Sequence, residues 1–320
     1  MRRLLLIALM PLVLVAGCAD APEPSTIPAT AISPPLPGSA PVTQVPVVQG
    51  PTDCDAEATV APGVQPRPGA MPPGSSMAAI VANGRVRIGV DQHNYMFGFR
   101  NPTTGRLEGF DIDLAREIAR DLFGDPDRIE LVPITAADRI SWLKDKKVDI
   151  VVHAFSITCG RRNDIDFSST YFRTGQRIAV PRNSGMRAAE DLAGKRVCVA
   201  HGATSAARLL ALVPPPSVLG VNTWTDCLVA LQQGTVDAIS SDESIVAGLV
   251  AQDRNLEVVG PPLGSEAYGV GVPKGREDLV RFVNGVLDRT RTDGTWQRLY
   301  AQHLAPLGPS PGPPAARYVR

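Results

Sequence analysis

The chain carries no surplus of either charge: 32 basic residues cancel 32 acidic ones. General attraction to nucleic acid or to an anionic membrane face is therefore excluded as the basis of recognition, and any charge-based contact must be local. No C-x-x-C pair is present, and the four histidines, His93, His153, His201 and His303, are scattered, so a zinc site has little support and no metal or cofactor is expected. There is no G-x-S-x-G elbow, no G-x-x-x-x-G-K-[ST] phosphate loop and no H-E-x-x-H. The run GVGVPKG from Gly269 only superficially resembles a dinucleotide fingerprint, because it does not open a strand-to-helix turn. These absences tilt against hydrolase and dehydrogenase chemistry. The stretch from Ala19 to Ser76 has no Phe, Trp or Tyr and holds fourteen prolines, which leaves too little apolar surface to offset ordering entropy.

What is present begins at the N-terminus. Arg2 and Arg3 precede an apolar run, LLLIALMPLVLV, that is too short for a comfortable transmembrane helix and reads as a secretory signal. Ala16 and Gly17 stand before Cys18 in a pattern that resembles the bacterial lipobox, with Val15 in the place usually held by Leu. The resemblance implies cleavage after residue 17 and lipidation of Cys18, which would anchor the protein to the outer face of the cell membrane. Residues 18–76 read as a disordered Pro-rich tether and residues 305–320 as a disordered tail. Cys54, Cys159, Cys198 and Cys227 remain in an exported, oxidising setting, where three pairings are possible. Position favours Cys198 with Cys227, inside one α/β unit, and Cys54 with Cys159, which would staple the tether to the folded body.

The 320 residues and 44% hydrophobic content suffice for two cored units. VRIGV from Val86 reads as a strand, and GFDIDLAREIARDLFG follows as a helix with Leu114, Ile118 and Leu122 on one stripe, capped by Asp111 or Asp113 and closed by Gly124. IELVPI, a short helix through RISWLKDK, and VDIVV complete a strand–helix alternation typical of a parallel sheet. A second cycle runs from KRVCVAHG to VDAISSDE. YGVGVP and two amphipathic helical stretches then suggest a return to the first unit.

Polar groups cluster at the strand ends, where open α/β sheets place their ligands. Ser156, Thr158 and Arg161 follow VDIVV; Gly202, Thr204 and Ser205 follow RVCVA; Asp242 follows DAIS. An arginine and a helix start complement a carboxylate, and an aspartate complements an ammonium. Together they match an α-amino acid. Singly each has an ordinary reading: Arg161 and Arg139 as solvated charges, Asp242 as a helix cap, and Tyr95, Phe97 and Phe99 as core.

From Met77 to Leu304 these segments, in this order, resemble the extracellular solute-binding proteins of polar amino-acid ABC importers, and most nearly the actinobacterial glutamate/glutamine-binding lipoproteins. The matching runs include GFDIDLAREIA, RISWLKDKKVDIVV, SIT with Arg161, DLAGKRVCVAHGATS, ALQQGTVDAISSDES, YGVGVPKG and DGTWQRLY. The resemblance implies an α/β fold of two lobes, of the type II periplasmic-binding-protein kind, joined by two crossover strands near Tyr171–Gly175 and Ser265–Tyr268. Lobe 1 would span residues 77–172 and 267–304, and lobe 2 residues 173–266.

Carried over by position, Arg161 would hold the α-carboxylate with Ser156 and Thr204, while Asp242 and the Ala154 carbonyl would receive the α-ammonium. Arg139 falls where glutamate and aspartate binders carry a side-chain-binding arginine. Ser205, Asp91 and Phe97 complete the ligand-binding set, and Arg162 is expected at the surface. Departures are TCGR in place of T-P-E-R, Ala136 where glutamine binders hold an aromatic, and Asp91 in place of an arginine found in some glutamate binders. A disulfide from Cys54 to Cys159 could supply the stiffness the turn lacks. The implied partners are a small-molecule amino acid, an ABC permease and the membrane through the lipid on Cys18, with no nucleic acid; a monomer is expected. A membrane sensor protein in place of the permease fits the same residues. A cyclohexadienyl-dehydratase-like enzyme would need an acid or base, for which Glu243 and His201 are the available candidates.

Overall fold

The computed structural model describes Leu36, residues 38–43 and residues 54–319. The expected signal peptide, the lipidation site Cys18 and much of the expected tether lie outside the described residues. Among the described residues no helix is long and apolar enough to cross a membrane.

The first lobe opens with β1 (Val86–Val90), α1 (Phe110–Phe123), β2 (Ile129–Pro133), α2 (Arg139–Lys144), β3 (Ile150–Val151), α3 (Cys159–Asp164) and β4 (Ile165–Phe167). The chain crosses on β5 (Phe172–Pro181) into the second lobe, built from β6 (Arg196–Ala200), α4 (Ser205–Leu210), β7 (Ser217–Val221), α5 (Trp224–Gln232), β8 (Ala238–Asp242), α6 (Glu243–Gln252) and β9 (Leu256–Val259). It returns on β10 (Ser265–Tyr268) and completes the first lobe with β11 (Gly271–Pro273), α7 (Glu277–Thr292) and α8 (Thr295–His303).

The first sheet runs β2-β1-β3-β11-β4, with β1 parallel to β2 and β3, and β11 antiparallel to both its neighbours. The second runs β7-β6-β8-β5-β9, with β6 parallel to β7 and β8, and β5 antiparallel to β8 and β9. β5 is long enough to serve twice. Its first residues pair with β10, from Phe172 opposite Tyr268 to Gly175 opposite Ser265, and its later residues enter the second sheet. This antiparallel ribbon is the pair of crossover strands, so the two-lobed α/β architecture is as the strand–helix alternation and the resemblance indicated.

Local sequence explains the main helix. Leu114, Ile118 and Leu122 are fully buried along one stripe of α1, and each such side chain withdrawn from water contributes about 1.5–3 kcal/mol. Gly124 ends the helix in the left-handed conformation and donates to the Arg120 carbonyl. The start differs from the expected aspartate cap. Gly109 occupies the capping position at φ 132°, where a Cβ would lie 2.3 Å from the Phe97 carbonyl oxygen. Asp111 instead turns inward, and Asp113 pairs with Arg116 and His303.

Two segments expected to be disordered are packed on the body in the described residues. Thr59–Val60 forms a parallel ladder with Tyr318–Val319. Thr59 Oγ1 donates to the Phe167 carbonyl, Asn284 Nδ2 donates to the Val60 carbonyl, and Arg317 pairs with Asp55. Tyr318 donates its hydroxyl to Asp288, and Arg291 donates to the Pro314 carbonyl. Ala40–Pro41 adds an antiparallel strand to the free edge of β7. Composition misses this order because it weighs the apolar surface a segment owns, whereas these segments satisfy their backbone on edges and side chains the lobes supply.

The disulfides join Cys54 to Cys159 and Cys198 to Cys227, the pairing favoured by position. The second ties β6 to α5 within the second lobe. Truncation after Gly308 removes the parallel ladder and the Arg317 and Tyr318 contacts. It is expected to lower the melting temperature by about 2–4 °C for each kcal/mol lost, as read by thermal denaturation; an unchanged melt would show the tail to be passive.

Candidate functional site

The end of β3 leads into a loop whose backbone is held from behind. Ala154 has φ 43°, a left-handed conformation uncommon for a residue with a Cβ, which costs of order 1–3 kcal/mol unless the surroundings fix it. Its N–H donates to Asp111 Oδ2 at 2.7 Å, and Tyr171, at the root of the crossover, donates its hydroxyl to Asp111 Oδ1 at 2.8 Å. Burial pushes the Asp111 carboxyl up to about 7.

Beyond this loop stand two arginines. Arg139, at the start of α2 and 2% exposed, donates Nε to the Ala136 carbonyl at 2.8 Å. Its Nη1 lies 3.3 and 3.5 Å from the carbonyls of His153 and Ala154, and its Nη2 donates to the Gly202 carbonyl at 2.9 Å. Arg161 sits one turn into α3, whose capping residue Thr158 accepts from the Arg161 N–H. Its Nη1 donates to the Ser156 carbonyl at 2.5 Å and its Nη2 to the Gly202 carbonyl at 2.7 Å. Both guanidinium groups face the Phe155 ring, at 4.3 and 4.9 Å from its centroid. Burial lowers both from the usual arginine range, Arg139 to about 9 and Arg161 to about 10, and the neighbouring Arg161 charge adds to the effect on Arg139.

Gly202 belongs to the second lobe, so these bonds latch the lobes together. It has φ 76°, and a Cβ there would lie 2.8 Å from the Ala136 carbonyl oxygen and 2.7 Å from Ala137 Cα. Only a residue without a side chain lets the lobes approach this closely. A further contact across the seam joins Thr225 Oγ1 to the His93 carbonyl at 3.5 Å.

From the second lobe, Thr204 donates its hydroxyl to Glu266 Oε1 at 3.0 Å, and Glu266 also pairs with Arg208. Asp242 ends β8 and accepts from the Tyr268 hydroxyl at 2.6 Å. Burial and the nearby Glu266 push its carboxyl up to about 7. Each crossover strand thus carries a tyrosine onto a buried carboxyl, Tyr171 onto Asp111 and Tyr268 onto Asp242.

One small pocket is walled by Arg139, Ala154, Ser156, Arg161, Ala203, Thr204, Trp224, Ser241 and Asp242. The fold therefore brings together six residues singled out from sequence, Arg139, Ala154, Ser156 and Arg161 from the first lobe and Thr204 and Asp242 from the second. Ser205 is buried beside Gln176, with its backbone carbonyl accepting from Gln176 Nε2, and lies off this wall. Asp91 is buried behind it and acts electrostatically on Arg139 and His153. Phe97 is not a wall: it is fully buried among Phe110, Phe172 and Tyr268, where its bulk fills the core under the crossover. Arg162, expected at the surface, is half-buried, with Nε donating to the Ala56 carbonyl, because the docked segment after Cys54 covers it. Glu243 pairs with Arg177, and His201 Nε2 bonds the Gly38 carbonyl, so neither faces the pocket. Trp224 and Ser241 escaped the sequence reading; Trp224 sits directly after the capping residue of α5, a position that reads as ordinary helix start.

Comparison with known proteins agrees with this architecture. The family model of bacterial extracellular solute-binding proteins, family 3, matches residues 86–306. The chain is 33% identical over 230 residues to the ABC transporter glutamine-binding protein GlnH of Bacillus subtilis, covering 72% of this chain and 84% of that protein. It is 30% identical over 243 residues to the glutamate-binding protein GluB of Corynebacterium glutamicum, covering 72% of this chain and 82% of that protein. The crystal structure of the solute receptor for L-cysteine of Neisseria gonorrhoeae superposes with a TM-score of 0.69 at 29% identity, covering 73% of this chain and 97% of that one.

Because the folded state holds the Asp111 proton more tightly than the unfolded chain, stability from this group is present below about pH 4 and is lost as pH rises to about 7. Asp111→Asn is expected to flatten that decline. Urea unfolding of both proteins between pH 4.5 and 7.5 reads it as a stability difference that shifts toward the variant with rising pH; a pH-independent difference would place the carboxyl near its ordinary value.

Proposed function

The chain belongs to the bacterial extracellular solute-binding proteins, family 3, and on that footing we propose that it captures a polar amino acid, glutamate, aspartate or one of their amides, by closing its lobes and delivers it to an ABC permease. The observation that carries this reading is one pocket in which Ala154, Ser156 and Arg161 of the first lobe face Thr204 and Asp242 of the second across the lobe seam. The α-carboxylate takes the place of the Gly202 carbonyl as acceptor for Arg161, with Ser156 and Thr204 beside it, and gains a charge-assisted pair. The α-ammonium goes to Asp242 and to the Ala154 carbonyl. Asp91 and Ser205 lie close behind these walls. Phe97 contributes bulk under the crossover rather than contact.

Entry requires the lobes to part along the β5–β10 ribbon, which separates Gly202 from both guanidinium groups. Ligand closure then restores a bridge across the seam, and a permease that recognises the closed form responds only to the loaded protein. The protein works as a monomer, without an enzymatic step, and is held by lipid on Cys18 at the outer face of the cell membrane.

Calorimetric titration with glutamate, aspartate, glutamine, asparagine and arginine tests the reading. Micromolar affinity corresponds to about 8 kcal/mol, and Arg161→Ala leaves a carboxylate unpaired at a loss of about 2–5 kcal/mol. Arg161→Ala is thus expected to nearly abolish binding, and unchanged affinity would remove Arg161 from the site. Since Asp242 must ionise to pair with an ammonium, affinity is expected to rise from pH 6 to pH 8, and Asp242→Asn is expected to remove that rise. A pH-independent wild-type affinity would assign the ammonium elsewhere.

A further inference from the structure

The helix that presents Arg161 to the pocket has little of its own to hold it in place. None of the six residues of α3 is buried, and the Arg161 guanidinium reaches away from the helix, to the Ser156 carbonyl and across the seam to Gly202. Lys144 pairs with Asp164, and Lys274 donates to the Arg162 carbonyl, but both lysines are exposed and such contacts contribute little. A side chain that must meet a ligand in one geometry needs firmer support from the residues around it.

That support comes from the stretch after Cys54, which precedes the first lobe in sequence. Cys54 is bonded to Cys159, the first residue of α3. Two residues on, the Ala56 carbonyl accepts from Arg162 Nε at 2.5 Å, and the Arg162 guanidinium lies 5.8 Å from the centroid of the Phe167 ring. The same stretch is fastened to the crossover. Glu57 pairs with Arg173, near the start of β5, and accepts from the Thr170 hydroxyl at 2.9 Å. Thr59, itself buried, donates to the Phe167 carbonyl. Residues 54–59 therefore join the helix of Arg161 to the root of the hinge.

Resting on the proposed amino-acid clamp, we infer that this stretch positions Arg161, Cys54 through its bond to Cys159 and Ala56 through Arg162, and that the Cys54–Cys159 disulfide is a redox-sensitive control on ligand affinity. The two disulfides differ in access. Cys54 is exposed and Cys159 half-buried, whereas Cys198 and Cys227 are fully buried. Thiol–disulfide exchange needs a sulfur that the attacking thiolate can reach, so a dithiol reductant opens the first bond and spares the second. Its thiolate attacks the Cys54 sulfur, the S–S bond breaks, and Cys159 leaves as a thiolate. The second thiol of the reductant then attacks the mixed disulfide and frees Cys54. Two electrons pass from the dithiol to the protein, the dithiol ends as its own disulfide, and the two protons it loses end on Cys54 and Cys159. The freed α3 keeps its cap on Thr158 but loses its covalent tie to the docked stretch. Arg161 then has to be ordered at the moment of binding, and affinity falls.

The test is calorimetric titration of the purified full chain with glutamate, aspartate, glutamine and asparagine, before treatment with dithiothreitol, after treatment and its removal, and after reoxidation. Alkylation and peptide mapping identify the freed thiols. Cys54 and Cys159 are expected to be alkylated while Cys198 and Cys227 stay bonded, with affinity for the tightest ligand lowered at least about tenfold, or about 1.4 kcal/mol, and regained on reoxidation. Cys54→Ser combined with Cys159→Ser is expected to show the same loss and no response to dithiothreitol. Tyr318→Phe removes the bond to Asp288 at the far end of the docked ladder without touching α3, and separates positioning from stability: its melting temperature is expected to fall with affinity unchanged. Affinity unmoved both by reduction and by the double substitution, or lowered as far by Tyr318→Phe, overturns the inference and leaves the clamp standing. Reduction of Cys198–Cys227 ahead of Cys54–Cys159 overturns the redox control. Binding of no amino acid by the oxidised wild type overturns the clamp, and the positioning role with it.

Discussion

One carbonyl oxygen draws the two lobes together at the pocket. The Gly202 carbonyl, offered by a turn of the second lobe, is shared by the guanidinium groups of Arg139 and Arg161 from the first. Two buried cations so close repel, and the carbonyl together with the Phe155 ring is what they share in compensation. The approach is possible because Gly202 has no side chain to strike Ala136 and Ala137. A neutral dipole is a weaker partner for a cation than a carboxylate, so a carboxylate offered at this seam would be the better acceptor.

The hinge ribbon is wired to both halves of the site. Tyr171 and Tyr268 mark the lobe 1 ends of the two crossover strands, and each hydroxyl reaches a buried carboxyl, Asp111 behind the Ala154 loop and Asp242 at the end of β8. Glu266, on the returning strand, holds the Thr204 hydroxyl and pairs with Arg208. A bend of the ribbon therefore moves the groups that shape the pocket rather than merely the bodies that carry them. Buried networks of this kind fix geometry because each member is costly to leave unpaired.

Much of this was legible in the sequence because strand ends announce themselves. VDIVV and DAIS are apolar runs that stop abruptly at polar residues, and a parallel sheet aligns such stops in space. The ordered tail was not legible, since Tyr318 and Arg317 gain their order from Asp288 and Asp55. Phe97 and Arg162 were misplaced for the same reason: an aromatic beside the site and a cation beside Arg161 look alike in sequence whether they face a ligand, a core or a docked segment. Trp224, which walls the pocket, carries no signal of its own, since in sequence it reads as an ordinary helix start.

The insertion of β11 between β3 and β4 has a consequence for how the chain can be assembled. The first lobe's sheet is interrupted in sequence, and its fourth strand comes from Gly271–Pro273, after the entire second lobe. β4 has no neighbour in that sheet except this late strand. During directional synthesis or export the second lobe's residues emerge as one uninterrupted block, whereas β1, β2 and β3 must wait with an open edge. The half of the protein that is first in sequence is thus the half that is finished last.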